Sequence, residues 1–212
     1  MPDTTSVRTM DASFHTLLEA DTNATFISDA LKVDAPLPPG PSLVPVERYT
    51  SRKYHDLEVE RLWKKCWQVA AHEDDFPNVG DVVPYDIAHL SFLVVRAGEN
   101  EYKAYYNACL HRARKLREVR GTALTELRCA FHGWSWNLNG SLKQIPCAYD
   151  YAGLKKEEEA LPAVKLERWG RFIFINPDPD CDSLASHLGD LDSQFELLPY
   201  DKRYKAAHVG KV

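Results

Sequence analysis

The 212-residue chain is long enough for one or two domains with a sizeable hydrophobic core. Its composition, 44% hydrophobic and 27% charged, is that of a folded globular protein and excludes collagen-like, low-complexity and wholly disordered classes. A net charge of −5 argues against a general nucleic-acid-binding or membrane-binding surface, so we expect neither kind of partner. The longest apolar runs hold four residues, too few for a membrane span or a signal peptide, and we expect a cytoplasmic protein.

The N-terminal region is predicted to be an extension of the folded domain. Residues 11–18 have the apolar spacing of a short helix, and five of the 13 prolines then fall between Pro36 and Pro45. Because proline cannot continue a helix, this second stretch predicts a semi-rigid linker. We assign residues 1–47 to the extension and linker.

A leading helix and a series of short strands are predicted next. Thr50 or Ser51 can cap a helix that runs to about Lys65. Its apolar stripe consists of Val59, Leu62, Trp63, Cys66 and Trp67. Runs rich in β-branched and aromatic residues then predict strands at 68–71, 81–87, 90–96, 102–107, 134–138, 141–145, 164–169 and 171–176. Asn139-Gly140 predicts a two-residue hairpin turn and Gly170 a tight connection, so residues 48–180 are expected to form a mainly β domain.

Two short motifs have the residue types of a metal site. Residues 109–111 (Cys-Leu-His) and 129–132 (Cys-Ala-Phe-His) are separated by 17 residues and supply two thiolates and two imidazoles. Zinc sites usually pair cysteines as Cys-x₂-Cys, whereas a Rieske [2Fe–2S] centre takes two cysteines on one iron and two histidines on the other. One ligand of each type from each loop fits the second arrangement. The candidate ligands are therefore Cys109, His111, Cys129 and His132.

With Arg112 after the first motif and Gly133-Trp134 after the second, the pattern resembles the cluster-binding signature of Rieske oxygenases. The resemblance is to the large (α) subunit of aromatic-ring-hydroxylating enzymes and extends over residues 48–199. It implies a Rieske-type antiparallel β domain with two cluster-binding loops, preceded by an N-terminal helical segment. One departure is Ala113, which stands where the family usually has glycine.

The implied cofactor is a Rieske [2Fe–2S] cluster that works as a one-electron relay. Two ferric ions, two sulfides, two thiolates and two neutral imidazoles sum to zero charge, so histidine ligation eases electron uptake relative to a four-cysteine cluster. The potential is then expected above roughly −150 mV rather than near about −400 mV. Trp134 and Trp136 share one face of a strand and are predicted to shield the cluster from water.

The resemblance also implies partners. A ferredoxin or a reductase would donate electrons, and the full-length α subunits would form a trimer in which one subunit's cluster serves its neighbour's iron. The chain between the two motifs carries a local net charge of +4, which we interpret as a docking surface for an acidic ferredoxin, a solvated loop being the alternative. Its basic residues are Arg112, Arg114, Lys115, Arg117, Arg120 and Arg128.

The second iron of these oxygenases has no counterpart in the sequence. The family holds it with a 2-His-1-carboxylate triad whose histidines are five residues apart, whereas successive histidines here are at least 17 residues apart. We therefore assign no catalytic residue and expect mononuclear Fe(II) only in a missing catalytic domain. Residues 181–212 are interpreted as the start of that domain, and the chain as a fragment.

Three functions are compatible with these observations. The favoured one is the electron-transfer domain of an aromatic-ring-hydroxylating oxygenase. A freestanding Rieske electron carrier is the second, weakened because the cluster loops and their hairpin need only part of this chain. A zinc-binding interaction domain is the third, with a ligand order unusual for zinc. In all three, Cys66, Cys147 and Cys181 are predicted to be free thiols without a ligand role.

Overall fold

The computed structural model describes residues 44–196 together with Ala20, Leu198 and residues 202–207. The chain divides into two compact units, residues 1–51 and 52–212. In the first unit, the described segment 44–51 contains helix α1 (Glu47–Thr50). The helix predicted at residues 11–18 and most of the proline-rich linker lie outside the described residues.

The second unit begins with a helical segment whose hydrogen-bonding pattern changes part-way. Helix α2 (Arg52–Glu58) is α-helical, and Val59–Trp63 continue it as a π-helix. The wider turn carries an extra residue and so shifts the side chains that follow. The predicted helix is confirmed to this point, but its apolar stripe is interrupted: Val59 and Trp67 are buried, whereas Leu62 is exposed.

Nine strands lie in the described part of the second unit, and all their pairings are antiparallel. In chain order they are Gln68–His72 (β1), Val82–Ile87 (β2), Leu90–Arg96 (β3), Tyr102–Tyr106 (β4), Leu127–Arg128 (β5), Ser135–Trp136 (β6), Leu142–Gln144 (β7), Ala163–Trp169 (β8) and Phe172–Asn176 (β9). Six of them form one sheet in the order β1-β9-β8-β4-β3-β2, and β5, β6 and β7 form a second sheet. The predicted mainly β, antiparallel fold is confirmed.

Strand β3 explains the apolar run in the middle of the chain. It pairs with β2 on one side and β4 on the other, and both of its faces are covered. Leu93 and Val95 belong to one hydrophobic core, and Phe92 and Val94 belong to another. Since side chains alternate between the faces of a strand, four consecutive apolar residues are needed to fill both cores. The first of these cores also contains the two motif cysteines.

The second sheet differs in detail from the prediction. Strand β5 was not predicted, because two residues are too few to carry a strand pattern. The connection from β6 to β7 is longer than the two-residue turn expected: the Asn137 N–H donates to the Ser141 carbonyl at 2.9 Å, which leaves a three-residue loop. Gly140 closes this loop with φ +84°, and a Cβ there would collide with the Tyr105 ring. By contrast, Gly170-Arg171 forms the tight connection predicted between β8 and β9.

Two short helices follow the sheet. Ser183 caps helix α3 (Leu184–Leu188), its hydroxyl accepting a hydrogen bond from the Ser186 N–H at 3.2 Å, and α4 (Leu191–Gln194) comes next. Leu184 is buried against Trp67 and so fastens this region to the start of the domain. Within the described residues, no helix has the length and apolar character needed to cross a membrane.

Candidate metal centre

The two sequence motifs lie on loops with the same backbone hydrogen bonds. The first loop follows β4, and the second joins β5 to β6. In each loop the cysteine N–H donates at 2.8 Å to the carbonyl five residues ahead, in Arg114 or Trp134. The cysteine carbonyl in turn accepts from the N–H four residues ahead, in Ala113 or Gly133. The two loops are therefore structural copies, although their residues differ.

The four predicted ligands form two pairs, sorted by type. Cys109 and Cys129 are almost completely buried, and their thiols are close enough to share a hydrogen bond. The imidazole rings of His111 and His132 have their centroids 4.6 Å apart. His111 is half-buried and His132 is exposed, so the thiol pair forms the inner end of the group and the imidazole pair the outer end.

The surroundings of these side chains act differently on the thiol and on the imidazole. Burial raises the pKa of the Cys109 thiol, as does Cys129, whereas hydrogen bonds from the backbone N–H groups of His111 and Arg112 oppose this rise. Such donors would stabilise a thiolate sulfur. Burial, the neighbouring His132 and the charge of Arg112 lower the pKa of His111, which keeps its imidazole neutral. A neutral imidazole is the ligand form of histidine.

This arrangement fits a dinuclear cluster. The Nδ1 atom of His111 is buried and has no hydrogen-bond partner in the described part of the chain, which leaves its lone pair available to a metal. A Rieske cluster needs two thiolates on one iron and two imidazoles on the other, and this is how the side chains are sorted. A single zinc ion would need its ligands gathered around one point. Among the residues described, no three His, Cys, Asp or Glu side chains are grouped in that way.

Aromatic rings cover the imidazole of His111. Trp134 is stacked on it with ring centroids 5.3 Å apart and ring planes within 5°. Tyr151 stands edge-on to both rings and places its hydroxyl 3.4 Å from His111 Nε2. Trp136 is fully buried, and its indole N–H donates to the Glu159 carbonyl at 2.9 Å. Both tryptophans belong to the hydrophobic core that contains Cys109 and Cys129, and their shielding role stays a prediction.

Asn107 fixes the first loop and was missed by sequence reasoning. Its side chain is buried two residues before Cys109. The Oδ1 atom accepts from the N–H groups of Leu116 and Arg117, at 2.9 and 3.1 Å. The Nδ2 atom donates to the Arg117 carbonyl at 2.6 Å and to the Ser91 hydroxyl at 3.0 Å. One amide therefore closes the loop at its base, and nothing in the motif spacing signals it.

The basic stretch between the motifs divides into paired and unpaired residues. Three side chains are neutralised locally, since Lys115 pairs with Asp86, Arg128 with Glu126 and Arg120 with Asp75. Arg112 and Arg114 are exposed, and neither makes an ion pair with a described residue. Arg117 is half-buried, also lacks an ion pair with a described residue, and donates to the Arg120 carbonyl at 3.1 Å. The exposed and unpaired part of the predicted positive surface is thus reduced to Arg112 and Arg114.

In the described part of the chain, the remaining cysteines and histidines are not grouped with these ligands. Cys66, Cys147 and Cys181 are free thiols, as predicted, and Cys147 is exposed. Burial raises the pKa of both Cys66 and Cys181. His15 and His208 lie outside the described residues.

Comparison with known proteins agrees with this geometry. Residues 66–158 match the family described as the Rieske [2Fe-2S] domain. The chain carries a Rieske domain and belongs with the Rieske oxygenases. The oxygenase subunit of carnitine monooxygenase from Escherichia coli K12 is 30% identical over 151 residues, which are 71% of this chain and 40% of that protein.

Solved structures of Rieske oxygenases share the fold. Naphthalene 1,2-dioxygenase from Rhodococcus sp. superimposes with a TM-score of 0.65 and 35% identity over 73% of this chain and 35% of its own. The structure of a quaternary ammonium Rieske monooxygenase, described in terms of carnitine oxidation and inter-subunit electron transfer, also matches. Its TM-score is 0.67 and its sequence identity 25%, and the match covers 72% of this chain and 42% of that one. The chain thus spans less than half the length of each of these relatives. The cofactor of its Rieske domain is the [2Fe–2S] cluster.

Proposed function

We propose that this chain is the electron-transfer domain of a Rieske oxygenase α subunit, and that Cys109, His111, Cys129 and His132 hold its cluster. The observation that carries the proposal is the sorting of two buried thiols and two neighbouring imidazoles by two matched loops. The division into an extension (1–47), a Rieske domain (48–180) and the start of a catalytic domain (181–212) belongs to the same proposal, as does a cytoplasmic location.

Each part of the site has a task in this function. When bound, the cluster supplies a centre that takes up and releases one electron at a time. The backbone N–H groups of His111 and Arg112 stabilise negative charge on the Cys109 sulfur. Trp134 is buried and would keep water from the ligands beneath it. Excluding water lowers the local dielectric constant, which in turn helps to set the redox potential of the cluster. His132 is the most exposed of the four proposed ligands and so faces the side from which another protein would approach.

The surface around the ligands suits an electron donor of opposite charge. Arg112 and Arg114 are exposed and carry charge that no described acid neutralises. The apolar side chains of Leu110 and Phe131 are exposed beside the two histidines. An apolar centre with a charged rim is typical of a protein-binding surface. We propose that an acidic ferredoxin or a reductase docks here, and that electrons then pass to the mononuclear iron of a neighbouring α subunit.

The electrons would support an O₂-dependent oxygenation. The sequence favours aromatic compounds as the substrates, with ring hydroxylation as the reaction. The relatives named above act on two classes, an aromatic hydrocarbon and quaternary ammonium compounds. The residues that would choose between them belong to a catalytic domain. Oxygen-uptake assays of the full-length protein with naphthalene and with carnitine would distinguish the two classes.

The cluster itself is tested by spectroscopy. The purified chain should be coloured, and after dithionite reduction it should give the rhombic low-temperature EPR signal of a Rieske centre. His132→Cys should lower the reduction potential, because an additional thiolate adds negative charge to the centre. A colourless protein that contains one zinc ion would refute the proposal, and an unchanged or higher potential in His132→Cys would refute the assignment of that ligand.

A freestanding electron carrier is the second candidate, and zinc binding the third. Reading the gene beyond codon 212 distinguishes the carrier from the oxygenase. A downstream frame that encodes two histidines five residues apart after an acidic residue favours the α subunit, whereas a stop codon favours the carrier.

A further inference from the structure

The two candidate imidazole ligands have different surroundings. His132 is exposed, and its ring contacts are to His111 and to Phe131, which is itself 58% exposed. His111 is half-buried between Trp134 and Tyr151 and has a hydrogen-bonding group at its outer nitrogen. The matched loops therefore present one imidazole that is stacked on Trp134 and faces the Tyr151 hydroxyl, and one for which the described residues show neither a stacked tryptophan nor a hydrogen-bond partner.

Tyr151 reaches this position from a separate part of the chain. It ends a 3₁₀ turn, Ala148–Tyr151, that starts after Cys147 in the left-handed conformation with φ +53°. The Asp150 N–H donates to the Cys147 carbonyl at 2.9 Å, and the Leu154 N–H donates to the Tyr151 carbonyl at 3.1 Å. The Tyr151 ring packs partly buried against the core that contains both cysteines. Its hydroxyl is thus placed by backbone structure on either side of it.

The hydrogen bond to Tyr151 selects the form of His111. A neutral imidazole carries one hydrogen, on Nδ1 or on Nε2. The buried Nδ1 atom has no partner among the described residues, whereas Nε2 lies 3.4 Å from the Tyr151 hydroxyl. With the hydrogen on Nε2, that nitrogen donates to the phenol oxygen and Nδ1 keeps its lone pair for a metal. Histidine ligands are commonly oriented by such a partner on the opposite nitrogen.

We propose that Tyr151 is a positioning residue that orients His111 and tunes the reduction potential of the cluster, an inference that rests on the proposed ligand assignment. Trp134 fixes the plane of the imidazole by stacking, and Tyr151 fixes its rotation and tautomer through Nε2. A partner that accepts the Nε2 hydrogen makes the imidazole a stronger electron donor and favours the oxidised state. Tyr151 therefore holds the potential below the value that an unassisted His111 would give.

The test is the substitution Tyr151→Phe in the protein with its cluster, which keeps the ring and removes the hydroxyl. We expect a higher midpoint potential in a redox titration at fixed pH, together with a changed nitrogen hyperfine coupling for one histidine in pulsed EPR. The matched control is Tyr149→Phe, since Tyr149 lies in the same turn but is 80% exposed. An unchanged potential in Tyr151→Phe, or an equal shift in Tyr149→Phe, would overturn the proposal.

A second measurement keeps the test decisive if Tyr151→Phe does not retain its cluster. Replacing the ten tyrosines by 3,5-difluorotyrosine removes no ring, and in a titration at a pH low enough for the fluorinated phenol to keep its proton it weakens each phenol oxygen as an acceptor. The potential of the labelled native sequence should rise, and no rise would refute the role of the hydroxyl. If instead the proposal that these loops hold a Rieske cluster were wrong, the unsubstituted protein would itself lack the Rieske EPR signal, so the two failures can be told apart.

Discussion

At the scale of single residues, both ligand loops depend on one left-handed residue. The fourth residue after each cysteine has positive φ, +77° at Gly133 and +55° at Ala113. Glycine adopts this conformation at no steric cost, whereas the Cβ of alanine makes it unfavourable by about 1 kcal/mol. The departure from the family pattern at Ala113 therefore leaves the backbone path of the loop intact and strains one residue.

We predict that Ala113→Gly stabilises the protein by roughly 0.5–1 kcal/mol, because it removes this strain at a position already in the left-handed region. Urea unfolding followed by circular dichroism measures the change. Ala130→Gly is the matched control, since Ala130 lies in the second loop without positive φ and should lose stability. Equal losses in the two variants would show that Ala113 is not strained.

At the scale of elements, the ligand loops have no regular secondary structure and are held in place by side chains in or next to the β-strands. Asn107, directly after β4, closes the first loop with three hydrogen bonds and makes a fourth to Ser91 in β3. The neighbouring Tyr105 hydroxyl donates to the Leu138 carbonyl at 3.1 Å and so joins the main sheet to the hairpin beyond the second loop. Since irregular loops bury backbone groups that need partners, these two residues let two separate sheets support one site.

We predict that Asn107→Ala lowers the free energy of unfolding by roughly 1–3 kcal/mol, because it leaves buried N–H and carbonyl groups of the first loop unpaired. Iron bound per chain should fall with it, since Cys109 and His111 lie on that loop. Unfolding curves and iron analysis measure the two effects. Asn139→Ala, in the exposed part of the hairpin, should retain full iron content. Normal iron content in Asn107→Ala would contradict the role of this amide.

At the scale of the whole domain, Asp75 joins three distant parts of the chain. It is buried, accepts from the His72 N–H at 3.0 Å, and pairs with Lys205 at 2.7 Å and with Arg120. Burial alone would raise the pKa of Asp75, but these hydrogen bonds and the charge of Arg120 outweigh it and hold the pKa below the usual 3.8. The basic stretch beyond the first loop and the C-terminal described segment are thereby fastened to the end of β1.

We predict that Asp75→Asn costs roughly 1–3 kcal/mol of stability at pH 7, because the partners lose a carboxylate. A carboxyl with a lowered folded pKa contributes its full stability above the unfolded value and loses it as pH falls through the folded value. The difference in the free energy of unfolding between the native protein and the variant should therefore shrink as pH falls from about 4 towards the folded pKa. Urea unfolding at pH 7 and at pH 3 would show this. A gap of the same size at both pH values would be inconsistent with this ion pair. Asp56→Asn, in an exposed pair, is the control.

A second prediction at this scale concerns the electron donor. Reversing both Arg112 and Arg114 to Glu should slow reduction by an acidic ferredoxin and flatten its dependence on ionic strength, because steering by opposite charge is screened by salt. Stopped-flow reduction at several salt concentrations measures this. Reversing Lys115 and Arg128, which are already paired with acids, should have a smaller effect. Equal effects of the two double variants would argue that total charge, and not the unpaired arginines, guides docking.

Much of the fold was predictable from local patterns. Alternation and turn residues located eight of the nine described strands to within a few residues, and Gly170 marked a real turn. The omissions have physical causes. The π-helix at Val59–Trp63 shifts a helical stripe that periodicity assumes to be regular, and β5 is too short to show a pattern. The hairpin at Asn139-Gly140 uses a longer turn with the same residues.

The sequence by itself determined the chemistry of the site, because ligand type and spacing are local properties of two short motifs. It also located the residues that must bend each loop. Only the tertiary structure decided which neighbours hold those ligands, since the contacts of Asn107 and Tyr151 follow no local sequence pattern. It also decided that Asp75 would meet Lys205, which is distant in the chain. It also decided which charges remain free, because three of the six basic residues between the motifs meet acids that the packing of the domain brings to them.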